Sequence, residues 1–378
     1  MYYDVVIAGG SIAGLLCARE IAKNGHSVLV LEEDYEIGSP EHCGGLVSTQ
    51  GLEELEIIPH RKTLEHFIES AEIFSPGGKS ILIDSKKQNI VEINRRDLDK
   101  QIAYQATKYG AEIRVKTSFK EVTDNGVNTS DGKIDCKIIV DARGVSSIIN
   151  KDRTGILSSA QYEVYANWIK KGHVEVYLDQ KKYPGFFAWI IPSSNGSGKV
   201  GVAGRGINSA EVLEEFIKKK GSYSIIRKIF APIWIKGPID KFVSKNVVVI
   251  GDAAGQTKPT TAGGIFSCGM GGVLAGRSIS KFLKSGNSDD LEEYQKLWNK
   301  KFGKEFEKQL LVRKILERFD NDTIDKLFGS ITPEILKDIS SKDDFDFHTS
   351  SILKLLGIKG SLKAAQILMA SEMKNLLS

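Results

Sequence analysis

Two glycine-rich turns carry the chemistry that can be read from this chain. The first, Gly9-Gly10-Ser11-Ile12-Ala13-Gly14, follows an apolar run from Asp4 to Ala8 and opens a stretch with helical spacing. Glycine at position 9 permits a tight turn, and glycine at 14 lets a helix pack close to a sheet. Amides at the helix N terminus can then hold a pyrophosphate. Ser11 takes the place of the middle glycine, and its small side chain still leaves the backbone close to phosphate. Glu32 lies 18 residues beyond Gly14, at the end of a second apolar strand from Ser27 to Leu31. A carboxylate there accepts hydrogen bonds from a ribose and disfavours a 2′-phosphate. The second turn, Gly251-Asp252-Ala253-Ala254-Gly255, again follows an apolar run, Val247 to Ile250. Asp252 can bond a hydroxyl-rich chain such as ribityl. The stretch Thr260 to Ile265 should begin a helix whose amides face an isoalloxazine ring. Either cluster alone also suits a plain loop; in combination they point to a flavin dinucleotide.

The elements that must position these turns follow from periodicity. Asp4 to Ala8 and Lys137 to Val140 read as strands buried on both faces, and Ile12 to Lys23 as a helix stopped by Asn24-Gly25. Leu64 to Val91 alternates, with Pro76-Gly77-Gly78 as a turn between two strands. An amphipathic helix is expected from Arg96 to Tyr109, followed by a strand from Ala111 to Val115. Residues 155–240 read as alternating strands with one helix near 209–220, and the chain beyond about 288 as helical and rich in lysine and glutamate. The expectation is an α/β fold with three parts. A Rossmann-like FAD-binding domain would be discontinuous, at 1–60, 93–154 and 241–287. A mainly β substrate-binding domain would be inserted as 61–92 and 155–240, and 288–378 would form a C-terminal helical region.

Composition narrows the partners. Fifty-two basic and 48 acidic side chains leave a formal charge of +4 over 378 residues, too small a surplus for a nucleic-acid protein. Cys17, Cys43, Cys136 and Cys268 form neither a CxxC pair nor a disulfide framework, which suits a reducing cytosol. His42, His60, His66 and His173 lack metal-ligand spacing, and no Ser-His-Asp arrangement is evident, so no metal is expected. There is no basic leader before an apolar core, and no uncharged run approaches the roughly 20 residues of a membrane span. The chain is therefore expected to be cytoplasmic, with peripheral contact on the inner face of the membrane left open. In the C-terminal helices, Ile352, Leu353, Leu355 and Leu356 suit either an interfacial helix or a packed bundle.

Gly9 to Gly14, Glu32, Arg95 before a helix, Asp141-Ala142-Arg143-Gly144 and the Gly251 turn occur in an order that resembles the aromatic-hydroxylase type of FAD proteins. Within that group the chain looks most like the geranylgeranyl reductase family. The segments that carry this resemblance are His42-Cys43-Gly44-Gly45-Leu46 and Phe187-Ala188-Trp189-Ile190-Ile191-Pro192, with phenylalanine at 187 where tyrosine is usual. The resemblance implies flavin contacts at Ala13, Glu32, Cys43, Gly44, Leu46, Arg95, Phe119, Asp252, Gly264 and Ile265, beside Gly9, Ser11 and Gly14 of the fingerprint. It also implies an isoprenoid channel lined by Phe186, Phe187 and Trp189. Relative to the family, the C-terminal helical region is short and the loop after Cys43 lacks one residue.

The function this implies is FAD-dependent saturation of carbon–carbon double bonds in the geranylgeranyl chains of membrane lipids. NAD(P)H or a ferredoxin would supply electrons. Isolated trisubstituted alkenes are not electrophilic, so an acid must protonate one carbon as hydride reaches the other; Cys43 and a water are the candidates. The alternatives are a flavin monooxygenase or halogenase of a hydrophobic aromatic substrate, and an electron-transfer flavoprotein acting on quinone.

Overall fold

The computed structural model describes residues 2–147, 152–193, 196–342 and 345–355. The chain divides into two compact units. The first comprises Met1–Glu65, Val91–Ile156 and Pro232–Phe306; the second comprises His66–Ile90, Leu157–Ala231 and Glu307–Ser378.

The first unit is built on a parallel sheet of β1 (Tyr2–Ala8), β2 (Val28–Leu31), β3 (Glu112–Arg114), β4 (Gly132–Asp141) and β5 (Val247–Val249), in the order β5-β4-β1-β2-β3. Val5 pairs with Val28 on one side and Ile138 on the other, and Val5, Val6 and Ile7 are wholly buried. Helices on both faces account for such uninterrupted apolar strands, since neither side of the sheet meets water. An antiparallel meander, Phe119–Thr123 and Gly126–Thr129, leads into β4.

Three helices complete the part of this unit that matters for the site: α1 (Ile12–Lys23), α2 (Arg95–Lys108) and α3 (Ile265–Ser285). The Asn94 side chain caps α2 by accepting from the Asp97 amide at 3.1 Å. Helices α1 and α3 touch through backbone. A Cβ built on Gly272 would lie 2.1 Å from the Ala13 carbonyl oxygen, and one on Gly276 would lie 2.7 Å from that of Cys17. Glycines one turn apart thus let α3 lie directly on α1, and so fix where its N terminus points.

The second unit holds seven strands of an eight-stranded sheet, in the order 224–230, 156–165, 197–204, 188–192, 173–177, 70–74 and 80–84. Its pairs are antiparallel except His173–Tyr177 with Ser70–Phe74, which run parallel. The strands Ser70–Phe74 and Ser80–Asp84 flank the expected Pro76-Gly77-Gly78 turn. Tyr162, Ile190, Val200, Leu213 and Ile217 form the core between this sheet and the helix Ser209–Lys218. Ile324 and Phe328 of the helix Asn321–Ser330 pack with Ile73 and Ile81, and Asp325 accepts from the Gly77 amide at 2.8 Å. Leu353 packs with Leu311, Ile315 and Phe319. The side chain of Leu355 and all of residues 356–378, Leu356 included, lie outside the described residues. Among the described residues no helix is long and apolar enough to cross a membrane.

Candidate functional site

The site lies at the carboxyl ends of β1, β2 and β5, where a doubly wound sheet leaves a crevice. Gly9 has φ +110°, and a Cβ there would meet the Ala142 carbonyl oxygen at 2.5 Å. At Gly14 a Cβ would fall 2.0 Å from the Gly9 carbonyl oxygen. Only glycine therefore closes the turn at either position. Ser11 ends the turn with extended backbone, no side chain caps α1, and its first turn carries no acidic residue. The helix dipole and first-turn amides are thus left to face an anion.

Glu32 is half-buried at the end of β2. Its Oε2 accepts from the Gly10 amide at 2.8 Å and its Oε1 from the Asp34 amide at 3.0 Å. Burial raises its pKa from the ordinary value, and the bonds from Asp34 and Gly10 offset part of that rise. A Cβ at Gly10 would stand 3.0 Å from Glu32 Oε2. The glycine thus makes room for the carboxylate.

Arg95 opens α2 and is buried. Its Nη2 donates to Ser11 Oγ at 3.3 Å and to both Asp99 oxygens, at 2.9 and 3.0 Å. Burial works against the guanidinium, but the Asp99 carboxylate and the Cys43 thiol beside it hold its pKa above the ordinary value. Its Nε is buried and has no hydrogen-bond partner among the described residues. The loop that carries Cys43 is tied to the start of the same helix. Glu41 accepts from the Arg95 amide at 3.3 Å, Lys100 bonds Glu36 at 2.7 Å, and Gly38 abuts the Arg96 backbone. Cys43 is half-buried, and its Sγ accepts from the Gly45 amide at 3.4 Å. Gly44 and Leu46 follow it, half-buried, with Leu46 starting the strand Leu46–Ser48.

The second turn comes up against the first. A Cβ on Gly251 would lie 3.0 Å from that of Ala13. Asp252 Oδ1 accepts from Thr257 Oγ1 and from Cys268 Sγ, the latter at 3.2 Å. Burial and the Asp252 carboxylate push the Cys268 thiol well above its ordinary pKa. Gly264 caps α3 without a side chain, and a Cβ there would crowd Cys268 Sγ at 2.9 Å and Asp252 Oδ1 at 3.4 Å. Ile265 begins α3 and is buried. Phe119 lies under the Arg143 guanidinium, 4.5 Å from its ring centroid, and Arg143 bonds Asp141 at 3.0 Å.

Gly9, Ser11, Ala13, Gly14, Glu32, Cys43, Arg95, Asp252 and Gly264 thus come together as one cradle. Three residues absent from the sequence-derived site belong with it. Asp99 sits one helical turn after Arg95, a spacing that is legible in sequence. Cys268 is reached only through the start of α3, and Arg143 is part of the Asp141-Ala142-Arg143-Gly144 segment. Phe186, Phe187 and Trp189 lie in the second unit and form their own cluster. The rings of Phe186 and Phe187 stack at 4.1 Å, and Trp189 meets both edge-on at 6.3 and 6.0 Å. Trp189 Nε1 donates to Gln161 at 3.1 Å, and its ring covers Gly201, where a Cβ would come within 2.2 Å of it. No group of described His, Cys, Asp or Glu side chains is arranged to hold a metal ion.

An FAD fits these residues. Two helix N termini, at Ser11 and Gly264, converge on the crevice without side-chain caps, the Glu32 carboxylate stands against the Gly10 amide of the first turn, and the orphaned Nε of Arg95 lies buried beside Ser11.

Known proteins resemble the chain over most of its length. An uncharacterized protein of Methanocaldococcus jannaschii is 33% identical over 94% of this chain and 95% of its own. A digeranylgeranylglycerophospholipid reductase of the same organism is 31% identical over 86% of this chain and 89% of its own. The crystal structure of a geranylgeranyl bacteriochlorophyll reductase-like protein from Thermoplasma acidophilum superposes with a TM-score of 0.84 at 23% identity, covering 98% of this chain and 99% of the other. Residues 4–164 also match the family described as lycopene cyclase protein.

Proposed function

The chain belongs to the digeranylgeranylglycerophospholipid reductase family, and from that premise we propose that it is an FAD-dependent reductase of geranylgeranyl chains in membrane lipids. The observation that carries the reading is the junction at Arg95. One buried cation binds Ser11 of the dinucleotide turn, lies beside Cys43 of the family's cysteine-glycine loop, and keeps an unsatisfied Nε there. A buried donor without a partner costs free energy unless a ligand completes it.

When bound, FAD supplies hydride from its reduced ring. The chain's own residues hold and orient. The amides of the Gly9–Gly14 turn face the pyrophosphate, the Glu32 carboxylate accepts from a ribose, and Asp252 is the acceptor for ribityl hydroxyls. Asp99 fixes the Arg95 side chain by bonds to one nitrogen. Phe186, Phe187 and Trp189 provide apolar walls for an isoprenoid chain and exclude water, which an unactivated alkene requires if protonation is to accompany hydride transfer. Cys43 is the side chain we assign to proton delivery. The electron donor is a nicotinamide nucleotide or a ferredoxin, and contact with the membrane is peripheral, from the cytoplasmic side.

The test uses enzyme reduced chemically and kept anaerobic, which makes the natural donor unnecessary. A geranylgeranyl glycerolipid should gain two hydrogens per double bond while the flavin is reoxidised. Unchanged alkenes without oxygen, with an oxygenated product formed when air is admitted, would replace this reading with a monooxygenase.

A further inference from the structure

The second glycine turn is held from behind by side chains that no solvent reaches. Gln256 and Tyr294 are both 0% exposed. Gln256 Oε1 accepts from the Gly251 amide at 2.8 Å, and the Gln256 backbone amide donates to the Gly251 carbonyl at 3.1 Å. One residue thus takes both backbone groups of Gly251, whose φ is +67°. Gln256 Nε2 donates to the Tyr294 hydroxyl at 2.7 Å, and that hydroxyl donates to the Val249 carbonyl of β5 at 3.0 Å. Burial pushes the Tyr294 hydroxyl well above its ordinary pKa, so it keeps the proton that this bond needs. Room for the Gln256 side chain comes from α3, where a Cβ on Gly271 would stand 2.0 Å from Oε1. Ser267 Oγ of the same helix donates to the Gln256 carbonyl at 2.6 Å. Tyr294 lies on the helix Asp289–Trp298, which also holds α3 through Trp298 Nε1, 3.1 Å from the Ser267 carbonyl. Strand, turn, α3 and this helix therefore meet at one buried residue.

The turn so held carries Asp252, which is exposed. Thr257, the residue after Gln256, donates from Oγ1 to Asp252 Oδ1, and Cys268 Sγ donates to the same oxygen. Among the described residues no hydrogen bond uses Oδ2, which leaves that oxygen for a hydroxyl. We propose that Gln256 and Tyr294 are positioning residues for flavin binding, fixing the Gly251 turn so that the Asp252 carboxylate is set in advance for the ribityl hydroxyls. Without the Tyr294 hydroxyl, the Gln256 NH2 group loses its acceptor where water does not enter, and a buried donor left so is costly. The side chain then turns toward other acceptors and releases the Gly251 amide. FAD binds only the fraction of molecules whose turn still places Asp252 correctly, and its apparent affinity falls by that fraction. Hydroxyl and amide thus act on the cofactor through a backbone turn. The proposal rests on Asp252 as the ribityl acceptor and is independent of the reductase chemistry.

FAD titration of the flavin-stripped full chain, followed by fluorescence quenching, tests it without turnover. Tyr294→Phe keeps the ring against Phe242 and removes only the hydroxyl. It should weaken FAD binding about tenfold, and thermal melting of the stripped variant confirms that it is folded at the titration temperature. Gln256→Met keeps the side-chain length and should weaken FAD at least as much. Asp252→Ala should also weaken FAD, and adding Tyr294→Phe to it should bring little further loss, because no carboxylate is left to place. A merely structural role would instead lower the affinity by the same factor in both backgrounds. Wild-type affinity in Tyr294→Phe or in Gln256→Met overturns the proposal, as does a tenfold loss that persists in the Asp252→Ala background. Wild-type affinity in Asp252→Ala overturns the ribityl assignment together with it, whereas a loss at Asp252 without one at Tyr294 overturns the proposal alone.

Discussion

Changing Glu32 separates cofactor binding from stability. Its carboxylate accepts from the Gly10 and Asp34 amides at 2.8 and 3.0 Å and, in the proposed complex, from a ribose hydroxyl. Each charge-assisted bond contributes about 1.5–3 kcal/mol, so losing the one to ribose in Glu32→Ala should weaken FAD binding about 10- to 150-fold. Glu32→Gln keeps one carbonyl oxygen but turns an NH2 toward a backbone donor, and should fall between. The effect on the unliganded protein differs. Burial raises the Glu32 pKa, so the folded state holds this proton more tightly than the unfolded chain, whose value is near 4.5. Stability from this group is therefore present below 4.5 and is lost as pH rises through the higher folded value. At neutral pH the ionised side chain disfavours the fold, and Glu32→Gln should stay within about 1 kcal/mol of wild type, since one lost hydrogen bond is offset by one buried charge removed. Flavin titration by fluorescence quenching gives the affinity, and urea unfolding of the stripped protein at acid and neutral pH gives the stability. Unchanged FAD affinity in Glu32→Ala would refute the ribose assignment. An affinity loss that merely follows a fall in stability would refute the argument about its charge.

Three further outcomes follow from the geometry. Gly272→Ala puts a Cβ 2.1 Å from the Ala13 carbonyl oxygen, so α3 must move off α1; a loss of at least about 1–3 kcal/mol should be seen in thermal melting. Asp99→Asn leaves the buried Arg95 without its counterion and should cost about 3–5 kcal/mol, with Arg95→Met combined with Asp99→Leu recovering part of the loss in urea unfolding. Trp189→Ala should lower turnover of long isoprenoids while FAD content stays at wild-type level. The same change should cost roughly 3–5 kcal/mol in the second unit, so rates are compared below the melting transition.

What the amino-acid order determined by itself is local. Buried strands announce themselves as runs such as Val5 to Ile7, turns as glycines that no Cβ can replace, and helices as periodic faces, because each depends on residues a few positions apart. The carboxylate at Glu32 is legible for the same reason, since it stands at a strand end next to those signals, whereas the cation at Arg95 is reached only through the resemblance to a known family. What only the tertiary structure decided is which faces meet. The helix glycines at 272 and 276 read as a small-residue stretch until α3 lies on the carbonyls of Ala13 and Cys17. Cys268 becomes a partner of Asp252 because the start of α3 folds back over the Gly251 turn. The parallel pairing of His173–Tyr177 with Ser70–Phe74 joins segments about a hundred residues apart. The exposed strand Ser224–Phe230 carries apolar residues, Ile225, Ile226, Ile229 and Phe230, as its buried neighbours do. Periodicity states that a face is apolar and is silent on its partner, because the partner is chosen by the packing of the whole chain, and an edge exists only where that packing stops.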